Sequence, residues 1–213
     1  FHKWNKSFLI NKFEKDFYLA LDMGISLNPI LNSFQQTVRK YNIDLELIDA
    51  FMKSMKMDLD KKDYETKEEY EEYIYGSADV VGLMCLKVFV NGDEKKFDEL
   101  KDSAMRLGSA FQKVNFLRDL KSDLELLDRS YFPDIDLKNM TQIDKHKIIA
   151  EIENDFHHAY EGIIKLPTTS KFGVYTAFVY YSRLLNKLKK TPSAEIMETR
   201  IRVNNYAKMG LLV

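Results

Sequence analysis

Residues 107–133 read LGSAFQKVNFLRDLKSDLELLDRSYFP. Between Phe111 and Arg129 there is neither Gly nor Pro, and apolar residues recur at helical spacing, so the stretch reads as one helix running into an irregular segment. Gln112, Asn115, Asp119 and Asp123 step by three or four and fall on one face, with Arg118 at its border. An amide oxygen and two carboxylates one turn apart are the hard oxygen donors that Mg²⁺ prefers. An ion held this way keeps waters and shares phosphate oxygens with a substrate. The planar guanidinium of Arg118 suits the same phosphates. A solvated acidic face is the alternative. Against it, the polar run continues back through Asn115 and Gln112 on a helix otherwise full of Leu, Phe and Val. Arg118 lies beside the carboxylates, and carboxylates near a helix C-terminus are disfavoured unless a cation compensates.

Outward from this helix the chain reads as more helix. Ser7 to Met23 is expected as an amphipathic helix with Phe8, Leu9, Phe13, Phe17 and Leu21 on its apolar side, stopped by Gly24. Asn28-Pro29 is a restart, with a cap residue followed by Pro at the first helical position, and that helix runs to about Tyr41. Asp44 caps a third, reaching about Lys61. Thr66-Lys-Glu-Glu69 reads as a capping box that opens a long helix to about Val90. Asn91-Gly92-Asp93 turns the chain into the central helix. Residues 128–138 are irregular, anchored by Tyr131 and Pro133. Two further long helices, 141–165 and 171–190, are separated at Pro167, and Pro192 opens a tail ending in an apolar stretch, Tyr206 to Val213.

Bulk composition agrees with an all-α fold: eight Gly and four Pro in 213 residues, with many Leu, Lys, Glu and Met. Charged residues make up 31% but balance to −1, so no global field points to nucleic acid or an anionic surface. The lone Cys85 fits a reducing compartment and is expected to be a buried thiol. The longest apolar run, Val80 to Leu86, is far too short to span a bilayer. Adjacent His157 and His158 point about 100° apart on a helix and do not share a metal face. Gly76, Ser77, Ala78 and Gly82 clear one side of their helix, either for close helix packing or for a ligand.

The segment FQKVNFLRDLKSD followed by DRSYFP resembles the second aspartate-rich motif of the squalene/phytoene synthase family, which runs Q-x-x-N-x-x-R-D-x-x-x-D and then R-x-Y-x-P. YIYGSADVVG, Tyr73 to Gly82, resembles another signature of that family at the expected interval upstream. The similarity extends from about Leu19 to Arg202. It implies the type I isoprenoid synthase fold, a single domain of antiparallel helices around a central cavity. It implies head-to-head condensation of two geranylgeranyl diphosphates to phytoene through a cyclopropyl diphosphate intermediate. A squalene or dehydrosqualene synthase acting on farnesyl diphosphate is the alternative. The implied cofactor is Mg²⁺, with Mn²⁺ as its substitute, held by Asn115, Asp119 and Asp123. Asp119, Asp123 and Tyr75 take catalytic roles, while Gln112, Arg118, Tyr73, Tyr181 and Arg200 hold substrate. A cytoplasmic protein is expected, with peripheral membrane contact for release of a lipophilic product.

Two departures from the family pattern stand out. Asp79 occupies a position where the family usually has Gly, on the wall expected to line the channel, so its carboxylate must be paired or wet. Nothing before Asn28 matches the family's first aspartate-rich motif, which is expected upstream of Phe1. Residues 1–213 are therefore read as the domain without its first helices. A catalytically inactive binding or assembly protein that retains the fold stays open.

Overall fold

In a computed structural model, residues 4–126, 129–133, 135–198 and 201 are described. They form nine α-helices, with a π-helical segment, Tyr75–Asp79, between the fourth and fifth and no strand among them. In chain order these are α1 Lys6–Met23, α2 Pro29–Tyr41, α3 Leu45–Asp60, α4 Lys67–Ile74, α5 Val80–Phe89, α6 Glu94–Leu126, α7 Gln142–Ile163, α8 Thr168–Lys190 and α9 Ser193–Glu198. The all-α, antiparallel arrangement around a cavity expected from the sequence is present.

Most boundaries fall where turn chemistry puts them. Gly24 ends α1 at φ +71°, with open space around the position of a β-carbon. Asn28 caps α2 through its side chain, accepting from the amides of Ile30 and Leu31, with Pro29 as the first helical residue. Thr141 and Asp144 form a reciprocal capping box on α7. Asn91 and Gly92, both at positive φ, turn the chain into α6, and Asp93 accepts from the amide of Lys96 at 3.1 Å.

Four expectations about helices are corrected. Residues 66–90 are not one regular helix, because Tyr75–Asp79 is π-helical, with the amide of Val80 reaching the carbonyl of Tyr75. The box at Thr66 is half formed: Thr66 caps the amide of Glu69, but the Glu69 carboxylate accepts from the amide of Glu65 instead. On α1, Phe17 and Ala20 are buried against α2 and α3, whereas Phe8, Leu9 and Phe13 are exposed. Helix α8 also starts three residues early, with Pro167 before its first turn.

Three apolar clusters hold the bundle together. Phe17, Leu31, Ile48 and Met52 join α1, α2 and α3. Val80, Leu83, Leu86, Phe97 and Leu100 join α5 to the first half of α6. The largest packs Leu117 and Leu120 of α6 against Ile149 and Ile152 of α7 and Leu184 and Leu188 of α8. Removing a fully buried Leu or Ile from such a cluster costs roughly 2–5 kcal/mol, so this last group fixes the axis on which the motif residues are displayed. Lys145 of α7 is fully buried beside it and donates to the carbonyls of Lys189 and Thr191, tying α7 to the C-terminus of α8. Burial lowers its pKa.

Candidate active site

The π-helical segment and α5, α6, α7 and α8 surround an apolar cavity of about 560 Å³. Ser77, Ala78 and Gly82 form one wall, and Leu107, Gly108 and Phe111 of α6 form another. The small residues serve both ends weighed for them. A β-carbon on Gly76 would meet the Ser54 side chain and the Ala50 carbonyl, and one on Gly82 would come within 2.7 Å of the Ala104 carbonyl. These glycines are needed for helix packing, while Ser77, Ala78 and Gly82 also face the cavity. At Gly108 the approach is closest to the site: a β-carbon there would lie 2.7 Å from the Ala78 carbonyl oxygen. Cys85, expected to be buried, instead lines the cavity and is exposed through it. The surrounding apolar groups push its thiol above the ordinary value.

The motif residues of α6 lead from this cavity outward. Gln112 lines it, and its amide donates to the Ser77 hydroxyl at 3.4 Å. Phe111, on the lining, stacks on Tyr181 of α8 with ring centroids 4.0 Å apart, and the Tyr181 hydroxyl donates to the Asn115 side-chain oxygen at 3.3 Å. The next turn carries Asp119, whose carboxylate is gripped by Arg118 through Nε at 3.0 Å and through a second guanidinium nitrogen. That hydrogen bond raises the Arg118 pKa against the opposing effect of burial. Asp123 lies half-buried one further turn along. Burial raises the pKa of the Tyr131 phenol, and the charge of Asp123 adds to that rise.

The sequence-predicted residues therefore divide. Gln112 lines the cavity, Tyr181 reaches Asn115 one turn further along α6, and Arg118 pairs with Asp119 on the turn after that. Tyr73 and Tyr75 do not join them. Tyr73 is buried among Tyr64, Phe116 and Tyr131, donating to Asp58 at 2.8 Å, and Tyr75 is partly exposed; neither lines the cavity. Arg200 lies outside the described residues.

Asp79, the departure from the family pattern, turns away from the cavity. It is buried and accepts from the Ser109 hydroxyl at 2.7 Å, at a seam where Lys113 of α6 meets Asp155 of α7 at 2.7 Å. Glu151 also binds Lys113, and Arg106 reaches Asp155 at 2.9 Å. Burial pushes the Asp79 carboxyl up to about 6, against the pull of Ser109, Lys113 and Arg106. For Lys113 the balance is reversed. Burial opposes its charge, but the bonds to Asp155 and Glu151 prevail and raise its pKa. Sequence reasoning missed this seam, although Asp155 falls at helical spacing among Ile148, Ile152, Phe156 and Ala159, an apolar face on which a lone carboxylate calls for a cation. It also missed Arg129, which binds Asp58 at 3.0 Å and the Tyr131 hydroxyl at 3.3 Å and so anchors the segment after α6.

Asn115, Asp119 and Asp123 carry the oxygen donors that suit a hard cation and follow a single helix face, with the Asp119 carboxylate held by Arg118. Among the described residues no group of three or more His, Cys, Asp or Glu side chains forms a metal cluster. No described helix is long and apolar enough to cross a membrane.

This helical bundle around an apolar cavity has the isoprenoid synthase fold. The sequence model of squalene/phytoene synthase matches residues 8–207, and the chain belongs to that family. It is 25% identical over 201 residues to the bifunctional lycopene cyclase/phytoene synthase of Blakeslea trispora, covering 85% of this chain and 33% of the relative. It is 28% identical over 183 residues to phytoene synthase 1, chloroplastic, of Solanum lycopersicum, covering 78% of this chain and 44% of the relative. The chain thus spans a third to under half the length of these relatives. A dehydrosqualene synthase solved in complex with ligand superposes with a TM-score of 0.79 at 20% identity, covering 95% of this chain and 75% of that one.

Proposed function

We propose that the protein to which this chain belongs joins two prenyl diphosphates head to head, with geranylgeranyl diphosphate as substrate and phytoene as product. The observation that carries the reading is that Gln112, which lines an apolar cavity, begins a polar run continued by Asn115 and Asp119 along the same face of α6. A prenyl chain fits the lining, which is dominated by apolar side chains. Its diphosphate then lies beside the polar rim. Mg²⁺, or Mn²⁺ in its place, bound by Asn115, Asp119 and Asp123, would supply charge neutralisation of the departing diphosphate. Arg118 adds planar donors to the same oxygens, and Gln112 and Tyr181 orient them. The stacked rings of Phe111 and Tyr181 present aromatic faces near where positive charge develops on carbon, and such faces attract cations. The cavity wall keeps water from that carbon. Peripheral contact with a membrane, for release of the lipophilic product from a cytoplasmic protein, is part of the same proposal.

One helix face cannot complete an octahedral shell around a diphosphate-bound ion. The proposal therefore includes a facing set of ligands upstream of Phe1, with residues 1–213 forming the domain without its first helices. That one-sidedness also favours the second reading, a family member that binds without turnover. Product formation from geranylgeranyl and farnesyl diphosphate separates them, using the full-length protein and the chain starting at Phe1 at equal folded concentration. Phytoene from the longer protein alone supports the proposal, and equal yields remove the need for facing ligands. Asp119→Ala in the full-length protein is expected to abolish turnover while leaving the fold intact. Wild-type rates in that variant would refute the metal assignment.

A further inference from the structure

Two side chains one turn apart on α6 reach back to the π-helical segment. Ser109 bonds Asp79, and Gln112 bonds Ser77. The first bond is short, 2.7 Å, and buried; the second is long, 3.4 Å, and lies at the cavity. π-Helical turns are rare and poorly bonded, so a segment of this kind keeps its shape only when its surroundings hold it. Here the backbone is squeezed from both sides, by Ser54 and Ala50 of α3 against Gly76 and by Gly108 of α6 against the Ala78 carbonyl. Packing of small residues prevents approach but does not by itself fix rotation or sliding. A directional bond does.

We infer that the Asp79–Ser109 hydrogen bond is a positioning tie for the active site: it fixes the π-helical segment on α6 and thereby holds Ser77 where it orients Gln112. The inference rests on the prenyl diphosphate reading above and adds to it a residue outside the aspartate-rich motif. The groups facing Asp79 are named readily. From α6 they are Arg106, Ser109 and Lys113, and from α7 Asp155. Arg106 and Lys113 are both engaged by Asp155, which leaves the Ser109 hydroxyl as the donor that meets Asp79 directly. The tie needs an acceptor at position 79 and does not need a charge. Asp79→Asn keeps an acceptor oxygen, whereas Asp79→Ala and Ser109→Ala remove the bond from either end.

The test has a ligand-free arm and a kinetic arm. In the chain itself, Ser109→Ala and Asp79→Ala are expected to speed amide exchange about tenfold or more over residues 76–80, leaving α7 and α8 unchanged, while Asp79→Asn retains protection. In the full-length protein the same two alanine variants are expected to lower kcat/KM about tenfold through kcat, as misplaced positioning groups do, and Asp79→Asn to stay within about twofold of wild type. Unchanged exchange in Ser109→Ala overturns the tie. Faster exchange with unchanged kcat overturns its role in the site, and so does an Asp79→Asn enzyme as slow as Asp79→Ala. An unaltered full-length protein that makes no product sinks the prenyl diphosphate reading, and this inference with it; that outcome is told apart from failure of the tie alone because it does not depend on position 79.

Discussion

One face of α6 carries Arg106, Ser109 and Lys113 into the seam with α7 and the π-helical segment, and another carries Gln112, Asn115 and Asp119 to the cavity rim. Both are polar stripes of similar spacing, and in a sequence they look alike. In the seam, charges on α6 are answered across the helix interface by charges on α7, at 1% exposure for Asp155. At the rim, the bonds from Gln112 to Ser77 and from Tyr181 to Asn115 join neutral groups, and Asp119 is held by its own neighbour Arg118. Opposite charges that cancel across a buried interface lock two helices together. Neutral contacts at a cavity edge cancel no charge and hold their elements together less firmly.

The largest effect that would sharpen this contrast comes from Asp155→Ala. It leaves the buried Lys113 with Glu151 as its remaining carboxylate and unpairs Arg106, and should cost about 3 kcal/mol, read from the shift of a denaturant midpoint. A loss under about 1 kcal/mol would reduce the seam to surface pairing. Next is the pH dependence set by Asp79. Its folded pKa of about 6 lies above the ordinary 3.8, so the folded state holds a proton that the unfolded state has released. The associated stability is present below the unfolded value, declines as pH rises from about 4 to 6, and is lost above it; by linkage it amounts to about 2–3 kcal/mol. Asp79→Asn should therefore be more stable than wild type at pH 7 and show a flatter profile between pH 4 and 6. A profile of equal slope in both proteins would contradict the assignment. Away from both faces, Thr141→Ala removes the α7 cap and should lower stability by about 1 kcal/mol at any pH from 5 to 8. The smallest effect is expected at the rim itself: Asp119→Ala should change the stability of this chain by no more than about 0.5 kcal/mol. A change near that of Asp155→Ala would break the distinction between the two faces.

Much of the bundle was legible because its boundaries are written locally. Gly24, Asn28-Pro29 and Asn91-Gly92 each act within a few residues, and each marks a boundary in the structure. The π-helical turn was not legible, since it differs from an α-helix by one residue in its bonding ladder and the apolar spacing on either side is helical. The destination of Asp79 depended on which neighbour crosses at Ser109, a tertiary fact. Cys85 was misread for the same reason: an apolar helix says that a thiol is surrounded, not that the space beside it is empty. At the rim, the stripe on α6 was visible from spacing alone, but the meeting of Tyr181 with Asn115 required the crossing of α6 and α8, which only the family resemblance suggested. Tyr73 shows the limit of that route, because its hydroxyl turns to Asp58.

Helix α6 runs unbroken for 33 residues, a rod about 50 Å long at 1.5 Å per residue. Both polar faces are cut from this one rod, so neither has a loop that absorbs an error in chain length. Deleting the single codon for Ala110 turns everything downstream by about 100° relative to everything upstream. Ser109 would still find Asp79, while Lys113 would swing away from Asp155 and the carboxylates would leave the rim together. In this stretch the protein is expected to accept many amino-acid exchanges and almost no change in length.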